Sequence, residues 1–271
     1  KKLVIADNLG RVADQVFDHY AAYHGLDILI AALCFTFQIY CDFSGYSDIG
    51  RGLAKLMGFE LMVNFKLPYW ALNPADFWAR WHVSLSSWLR DYLYIPLGGN
   101  RKGLIKTFRN LALTMILGGL WHGASWNFVL WGTYHGFLLI LYKGYQVLKR
   151  EPMSEKNFRR CGLENSLSRA FMFSLAVLGW ILFRARTMEQ ASYLFSNLGL
   201  AVSESTLHFG YLLIFFSLPL LVLEAFEHRS GDLLAVMRVP VPLRILIYGF
   251  FVVWIFLFSV RESIEFIYFQ F

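Results

Sequence analysis

Charge is scarce in this amino-acid sequence, and its scarcity excludes most soluble folds. Only 16% of the 271 residues are charged and 57% are hydrophobic, whereas an average soluble domain is about 25% charged. The stretch from Asn110 to Tyr142 contains no Asp, Glu, Lys or Arg. We therefore predict an all-α protein, a polytopic membrane helix bundle with broken or re-entrant helices.

Cysteine and several catalytic patterns are also lacking. Three cysteines without a C-x-x-C pair predict neither a disulfide framework nor a zinc site, and no metal is expected. Cys34 and Cys41 would share one helix face and are predicted to be packing residues. No G-x-S-x-G motif or Ser/His/Asp pattern occurs, so an acyl-enzyme on serine is not expected. The chain starts at Lys1 without a Met, and we expect it to be part of a longer protein whose earlier spans are missing.

Basic residues account for the net charge of +6. They are scattered through loops, and two basic loops, Gly99–Arg109 and Lys143–Arg169, lie on either side of the uncharged stretch. Basic loops of membrane proteins face the cytoplasm and its anionic lipid. Nucleic-acid binding is the weaker interpretation, because no soluble domain carries these charges. One crossing would put the two loops on opposite sides. A hairpin or re-entrant pair is therefore predicted between them.

The turn of that hairpin is predicted at Gly118–Gly123, because glycines weaken a helix interior and permit unusual backbone angles. His122 lies at this break. A titratable ring at membrane depth is costly unless it lines a cavity, so His122 is a candidate functional residue. The alternative is a hydrogen-bonded histidine of the core. His135 would face away from His122 on an unbroken helix and is interpreted as secondary.

Asp42 and Asp48 lie close together beside an apolar segment. They could bind a cation, or they could cap the next helix and pair with Arg51 and Lys55. Calcium loops require more oxygen ligands at a different spacing, which favours the structural interpretation.

Asn73 and Pro74 have the typical pattern of a helix start, with Asn as N-cap and Pro at the first position. The helix is predicted to run to Tyr94. His82 lies in it beside a row of tryptophans, and taken alone it is interpreted as a hydrogen-bonded interface histidine.

Other apolar segments predict further helices. An amphipathic helix is expected at the N-terminus, and an aromatic tail is expected at an interface near the C-terminus. The predicted segments are Lys1–Asp18, Ile28–Cys41, Ala170–Phe183, Ser205–Leu223, Ile245–Val260 and the tail Glu262–Phe271.

Several motifs in order resemble the membrane-bound O-acyltransferase family, in its bacterial branch of alginate and peptidoglycan O-acetylation proteins. They are YCDFSGYSDIGRGLAKLMGF (Tyr40–Phe59), FWARWHVSLSSWLRDYLYIPLGGNRKG (Phe77–Gly103), GGLWHGASWNFVLWGTYHG (Gly118–Gly136), GWILFRA (Gly179–Ala185) and FIYFQF (Phe266–Phe271). The resemblance runs over almost the whole chain and covers the C-terminal half of such a protein. It implies that residues 1–271 are the C-terminal part of one transmembrane domain whose helices surround a tunnel.

The resemblance also implies site residues. His122 in LWHG matches the family's essential histidine, and His82 in RWHVS matches its second polar position. Supporting roles are expected for Trp121, Trp126, Arg90 and Asp91.

The implied activity is transfer of acetyl groups from cytoplasmic acetyl-CoA across a bacterial inner membrane to an extracytoplasmic polysaccharide, with His122 as general base. IPLGGNR favours polysaccharide O-acetylation over D-alanylation of teichoic acids. A secreted or membrane-anchored SGNH-type transferase is the expected partner. Two alternatives stay open: a proton-coupled transporter, and a non-catalytic scaffold for that transferase.

Overall fold

A computed structural model describes residues 1–149 and 163–260, and these residues form α-helices and no strand. The all-α prediction is confirmed. The chain divides into two compact units. The first unit comprises Lys1–Val63 with the described residues from Glu189 onward, and the second comprises Asn64–Met188. The helices are α1 (Asp7–Asp18), α2 (Leu26–Leu56), α3 (Pro74–Arg80), α4 (Val83–Leu89), α5 (Leu104–Trp121), α6 (Trp126–Lys149), α7 (Leu163–Arg184), α8 (Met188–Ser196), α9 (Glu204–Ser230) and α10 (Val241–Phe258).

Four helices are long and apolar enough to cross a membrane, namely α2, α7, α9 and α10. The three apolar runs predicted in the C-terminal half lie in α7, α9 and α10. At 1.5 Å per residue, α2 is about 46 Å long, which exceeds the roughly 30 Å of a bilayer core. Pro219 lies inside α9, and the helix continues through it.

In the first unit, α1 packs on α2 through the apolar stripe predicted at the N-terminus. Val12, Val16 and Phe17 are buried, and the Phe17 and Phe35 rings lie 6.1 Å apart. Leu3, within the segment predicted to be amphipathic, is exposed, whereas its neighbours Val4 and Ile5 in the π-helical turn over Lys2–Ala6 are buried. The amphipathic helix is confirmed for α1 itself.

Asp42 and Asp48 cap no helix, and that part of the prediction is wrong: α2 runs unbroken past both of them. Their charges are met by lysines near the N-terminus. Lys2 lies 2.8 Å from Asp42 and 2.9 Å from Asp7, and Lys1 lies 2.9 Å from Asp48. Among the described residues, no group of three acidic, histidine or cysteine side chains has an arrangement that could hold a metal.

Two other expectations about this part of the chain were partly right. Arg51 lies 3.6 Å from Asp48, whereas Lys55 pairs with Glu60 instead. Cys34 and Cys41 are buried free thiols, which confirms them as packing residues.

The second unit is built on the predicted hairpin. α5 ends at Trp121 and α6 begins at Trp126, and glycines let the two antiparallel helices approach closely. A Cβ at Gly119 would overlap the carbonyl oxygen of Phe128, and one at Gly132 would overlap that of Met115. Small residues allow such close packing of apolar helices. The antiparallel pairing puts the basic start of α5 and the basic end of α6 at the same end of the hairpin.

The helix predicted from Asn73 to Tyr94 is correct at its start and wrong in its continuity. The Asn73 side chain accepts a hydrogen bond from the backbone N–H of Asp76 at 2.9 Å, as expected of an N-cap. The helix stops at Arg80 and resumes at Val83 as α4, and a π-helical turn then covers Arg90–Tyr94.

Some expectations fall outside the described residues. They concern the tail Glu262–Phe271, which contains FIYFQF, the third cysteine, Cys161, and the part of the basic segment from 150 to 162. The prediction that residues 1–271 form part of one domain stays a prediction.

Candidate functional site

His122 lies at the turn of the α5–α6 hairpin, directly after the last residue of α5. Its backbone N–H donates to the carbonyl of Gly119 at 3.0 Å, which ends the helix. The half-buried imidazole is enclosed by aromatic rings that meet it nearly at right angles. The ring centroids lie 5.2 Å away for Trp131 and 5.1 Å away for Phe183. The imidazole is therefore held in one orientation by apolar walls.

His82 occupies the break between α3 and α4, with a left-handed backbone at φ 44° and ψ 55°. This conformation is uncommon for any residue other than glycine and costs about 1–3 kcal/mol, so it persists only where the surroundings enforce it. The side chain is buried, at 7% exposure. A strained, buried histidine on a helix break is a candidate functional residue in its own right.

The corner at His82 is enforced by a buried ion pair and by an adjacent loop. Arg80 donates to Asp76 at 2.6 Å and to the carbonyl of Lys66 at 3.2 Å. The backbone carbonyl of Asn64 accepts a hydrogen bond from the backbone N–H of Val83 at 3.0 Å. The side-chain oxygen of Asn64 accepts one from the backbone N–H of Ser84, also at 3.0 Å. These bonds use the backbone donors that a continuous helix would have kept within itself.

Trp121 connects the two histidines. Its ring centroid lies 5.1 Å from that of His122 and 6.4 Å from that of His82. The two histidines come from segments 40 residues apart in sequence, so the fold brings together the pair that the motifs singled out.

The other expected supporting residues lie elsewhere. Trp126 is 76% exposed at the start of α6, and its ring stacks on no aromatic ring among the described residues. Arg90 and Asp91 are exposed and pair with each other at 2.7 Å. An exposed pair of this kind contributes little to stability, and nothing in its geometry links it to His122.

His135, interpreted as secondary, is fully buried in the same aromatic cluster. Its ring lies 4.9 Å from Trp131 and 5.2 Å from Trp78, and it stacks on Phe77 at 6.1 Å. The expectation that His135 faces away from His122 assumed an unbroken helix. Because the chain turns between α5 and α6, that angular argument does not apply. The helical spacing of Phe128, Trp131 and His135 along α6 was the signal that places them on one face.

Asn127 and Phe183 are two further residues that sequence reasoning missed. The Asn127 side chain donates to the carbonyl of Ala185 and ties the start of α6 to the end of α7. Phe183 packs against both His122 and Trp131, at 5.1 and 5.2 Å. GWILFRA therefore supplies a wall of the site, a role that its apolar composition alone did not indicate.

The electrostatics of the site favour neutral imidazoles. His82 lies outside the four candidate membrane spans, and burial lowers its pKa to about 4. Desolvation penalises the imidazolium cation, so a buried imidazole whose pKa is lowered in this way is uncharged at neutral pH. A neutral imidazole can accept a proton from a hydroxyl or thiol, which is the property that a general base needs.

Comparison with known proteins identifies the fold that carries this site. Residues 20–183 match the model of the membrane-bound O-acyltransferase family. The chain belongs to this family. The matched range includes both histidines of the site and Phe183. Together with the four apolar helices, membership makes the chain a multi-pass membrane protein.

Curated relatives come from several branches of the membrane-bound O-acyltransferase family. The chain is 48% identical over 195 residues to the probable alginate O-acetylase AlgI of Pseudomonas putida, covering 72% of this chain and 38% of that protein. It is 40% identical over 191 residues to the peptidoglycan O-acetyltransferase of Helicobacter pylori, covering 70% and 35%. It is 30% identical over 164 residues to the teichoic acid D-alanyltransferase of Streptococcus thermophilus, covering 55% and 39%.

Two facts follow from these figures. The chain resembles the two O-acetylation relatives more than the D-alanylation relative, as the IPLGGNR motif suggested. It also spans less than two fifths of the length of each of these relatives.

Proposed function

We propose that this chain carries the reaction centre of a membrane O-acetyltransferase that passes acetyl groups from acetyl-CoA to an extracytoplasmic polysaccharide. The observation that supports it best is the pairing of His122 with His82 through Trp121, at two helix breaks inside the matched family region. The acceptor polymer is proposed to be alginate-like or peptidoglycan, by similarity to the O-acetylation relatives.

In the proposed reaction, His122 acts as general base. Its neutral imidazole takes the proton from the acceptor hydroxyl while the hydroxyl oxygen attacks the thioester carbonyl carbon. The C–S bond breaks as the new ester C–O bond forms, and the imidazolium returns its proton to the coenzyme A thiolate. A positioned base of this kind contributes about 10²–10⁴-fold to a rate.

His82 and Trp121 have positioning roles in this proposal. The ring of Trp121 lies beside both imidazoles, and we assign it the role of limiting the orientations that His122 can adopt. His82 presents a neutral ring that can hydrogen-bond to the reacting oxygen or to the base. Donors held rigidly where negative charge develops lower the barrier without reorganising during the reaction.

The basic end of the hairpin suits the phosphates of acetyl-CoA. Lys102, Lys106 and Arg109 lie near the start of α5, and Lys143 and Lys149 lie near the end of α6. A positive surface raises the local concentration of an anionic substrate. His122 follows Arg109 by thirteen positions, which is about 20 Å along the helix axis. The extended pantetheine arm would bridge this distance, with the phosphates on the cytoplasmic side of the inner membrane.

A separate transferase of the SGNH type is the proposed recipient of the acetyl group on the far side of the membrane. No serine nucleophile motif occurs in the sequence. In this proposal the partner accepts the acetyl group on its own nucleophile and delivers it to the polymer.

The test is acetyl-CoA turnover by the purified protein in lipid vesicles, with the partner supplied, beside His122→Ala. We expect the variant to fold and to lose at least about 10²-fold in turnover, because it lacks the base. His24→Ala is the matched control, since His24 is exposed and remote in sequence from the site.

Three outcomes would contradict the proposal. Turnover that survives in His122→Ala would remove the assigned base. Wild-type protein without turnover, but with normal recruitment of the transferase, would support the scaffold. Proton-coupled uptake without acetyl-CoA consumption would support the transporter.

A further inference from the structure

The aromatic cluster behind His122 contains buried nitrogen atoms that no described side chain or backbone group satisfies. Both ring nitrogens of His135 are fully buried and have no hydrogen-bond partner among the described residues, and the same holds for the indole nitrogens of Trp78, Trp131 and Trp180. His135, Trp131 and Trp180 are each at most 2% exposed.

These groups form one contiguous cluster. Trp131 lies 4.9 Å from His135, 5.8 Å from Trp78 and 6.0 Å from Trp180, measured between ring centroids. Leaving one buried donor or acceptor unpaired costs about 1–3 kcal/mol. Five such nitrogens in one cluster would be a large penalty in a protein whose total stability is only about 5–15 kcal/mol.

The cluster has more donors than acceptors. An indole N–H only donates, and a neutral imidazole supplies one donor and one acceptor. Four donors therefore share a single acceptor within the cluster. An oxygen atom with two lone pairs matches this imbalance, and buried water typically makes about three hydrogen bonds to such groups.

Trp131 links this cluster to the reaction centre. One side of its ring contacts His135, and its ring also meets His122 at 5.2 Å and an interplanar angle of 89°. A shift of Trp131 therefore moves the wall that orients the base. Misplacement by about 1 Å near a reacting group can cost about 10²-fold in rate.

We propose that His135, together with the indoles of Trp78, Trp131 and Trp180, forms an internal water site, and that this site positions Trp131 against His122. His135 is a positioning residue in this proposal, since it acts on the base through Trp131, which contacts both rings. The catalytic part of this inference rests on the proposed function, whereas the water site itself does not.

Gly179 offers a way to disturb the site without removing any of its nitrogens. A Cβ at Gly179 would lie 2.8 Å from His135 Nε2 and 3.2 Å from the ring of Tyr134. Gly179→Ala therefore forces the His135 ring to shift away from the new methyl group. Gly249→Ala is the matched control, because nothing lies within 4 Å of a Cβ at that helical position.

The first measurement is radiolytic hydroxyl-radical labelling in H₂¹⁸O, read by mass spectrometry, on the protein in lipid nanodiscs. Ordered water generates radicals where it sits, so Trp131 and His135 should incorporate ¹⁸O about tenfold faster than equally buried Phe17 and Phe35 of the first unit. Gly179→Ala should reduce that labelling by about threefold or more, because the shifted His135 ring no longer holds its nitrogens where the proposed water needs them. Gly249→Ala should leave it unchanged.

The second measurement is turnover by His135→Phe, which keeps the ring stack on Phe77 but removes both nitrogens. We expect kcat to fall about tenfold while KM for acetyl-CoA stays within about twofold, since the change acts on orientation and not on donor binding. His135→Gln restores a donor and an acceptor and should recover most of kcat.

The outcomes separate the two proposals. Labelling of the cluster no faster than that of Phe17 means a dry aromatic core and overturns the water site, whatever the activity. Labelling as expected with unchanged kcat in His135→Phe overturns the positioning role. Loss of the proposed function, with no acetyl-CoA turnover in the wild type, would leave the labelling result intact.

Discussion

Two buried polar clusters, one in each unit, are satisfied in different ways. In the first unit, buried charges meet partners within the protein: Asp27 accepts from Ser203 at 2.5 Å and from Thr206 at 2.7 Å, and Tyr40 donates to Glu224 at 2.5 Å. In the second unit, the cluster around the histidines is neutral, and several of its nitrogens have no described partner. Paired charges stabilise a fold, whereas neutral polar groups without protein partners are available to water or substrate.

The two units also differ in the continuity of their helices. The first unit uses long unbroken helices such as α2 and α9, while the second breaks its helices at His82 and His122. Each break frees backbone groups and turns a side chain away from the helix surface. The candidate site thus lies in the unit whose helices are broken.

The largest expected effect comes from forcing the hairpin of the second unit apart. Gly119→Ala would place a methyl on the Phe128 carbonyl, and the resulting shift of His122 should lower turnover about 10²-fold. Turnover and thermal unfolding of the purified variant check this. Gly144→Ala on the same hairpin, where the nearest atom is 3.8 Å from the new Cβ, should behave as wild type. Full activity in Gly119→Ala would show that the close approach of α5 and α6 does not position the base.

A smaller effect, on stability alone, is expected in the first unit. Asp27→Ala leaves the hydroxyls of Ser203 and Thr206 without their acceptor, and hydrogen bonds to a charged group contribute about 1.5–3 kcal/mol each. The unfolding midpoint should fall clearly, while turnover per folded molecule stays within about twofold because the change is outside the site. Glu60→Ala removes only an exposed pair and serves as control. A loss of turnover in Asp27→Ala without a loss of stability would show that this residue of the first unit affects the reaction.

The smallest effect concerns the strained backbone at His82. Asn tolerates the left-handed region better than Ala does, so His82→Asn should be about 1 kcal/mol more stable than His82→Ala. Unfolding midpoints of the two variants in detergent check this. Equal midpoints would mean that the corner relaxes when the side chain is removed.

The pH dependence of stability is a second test of the buried position of His82. Burial lowers the pKa of His82 to about 4, below the value of about 6.5 in an unfolded chain. The unfolded state therefore binds the proton first as pH falls, and stability is lost between about pH 6.5 and 4. His82→Asn should lose less stability than wild type between pH 7 and pH 5. Parallel curves would show that His82 is solvated.

Much of the site could be predicted from the sequence, for physical reasons that act locally. The glycines of Gly118–Gly123 and the lack of charge around them indicated the break at His122. The Asn73-Pro74 pair indicated a helix start. Basic residues on both sides of the uncharged stretch indicated a hairpin. In each case the cause lies within a few residues of its effect.

The break at His82 was missed because its cause is not local. Nothing in RWHVS opposes a helix; the corner follows from hydrogen bonds that Asn64 and Lys66 make across the chain. The partner of Asp42 was missed in the same way, since Lys2 lies 40 positions earlier.

The sequence by itself determined that this chain is helical, spans a membrane, turns at His122 and belongs with the O-acyltransferases, because composition, helix punctuation and motif order are properties of the linear chain. Only the tertiary structure decided that Trp121 joins His82 to His122 and that Trp131 joins His122 to His135. These relations depend on how α3, α5, α6 and α7 of the second unit pack, and packing is decided by contacts between residues far apart in sequence.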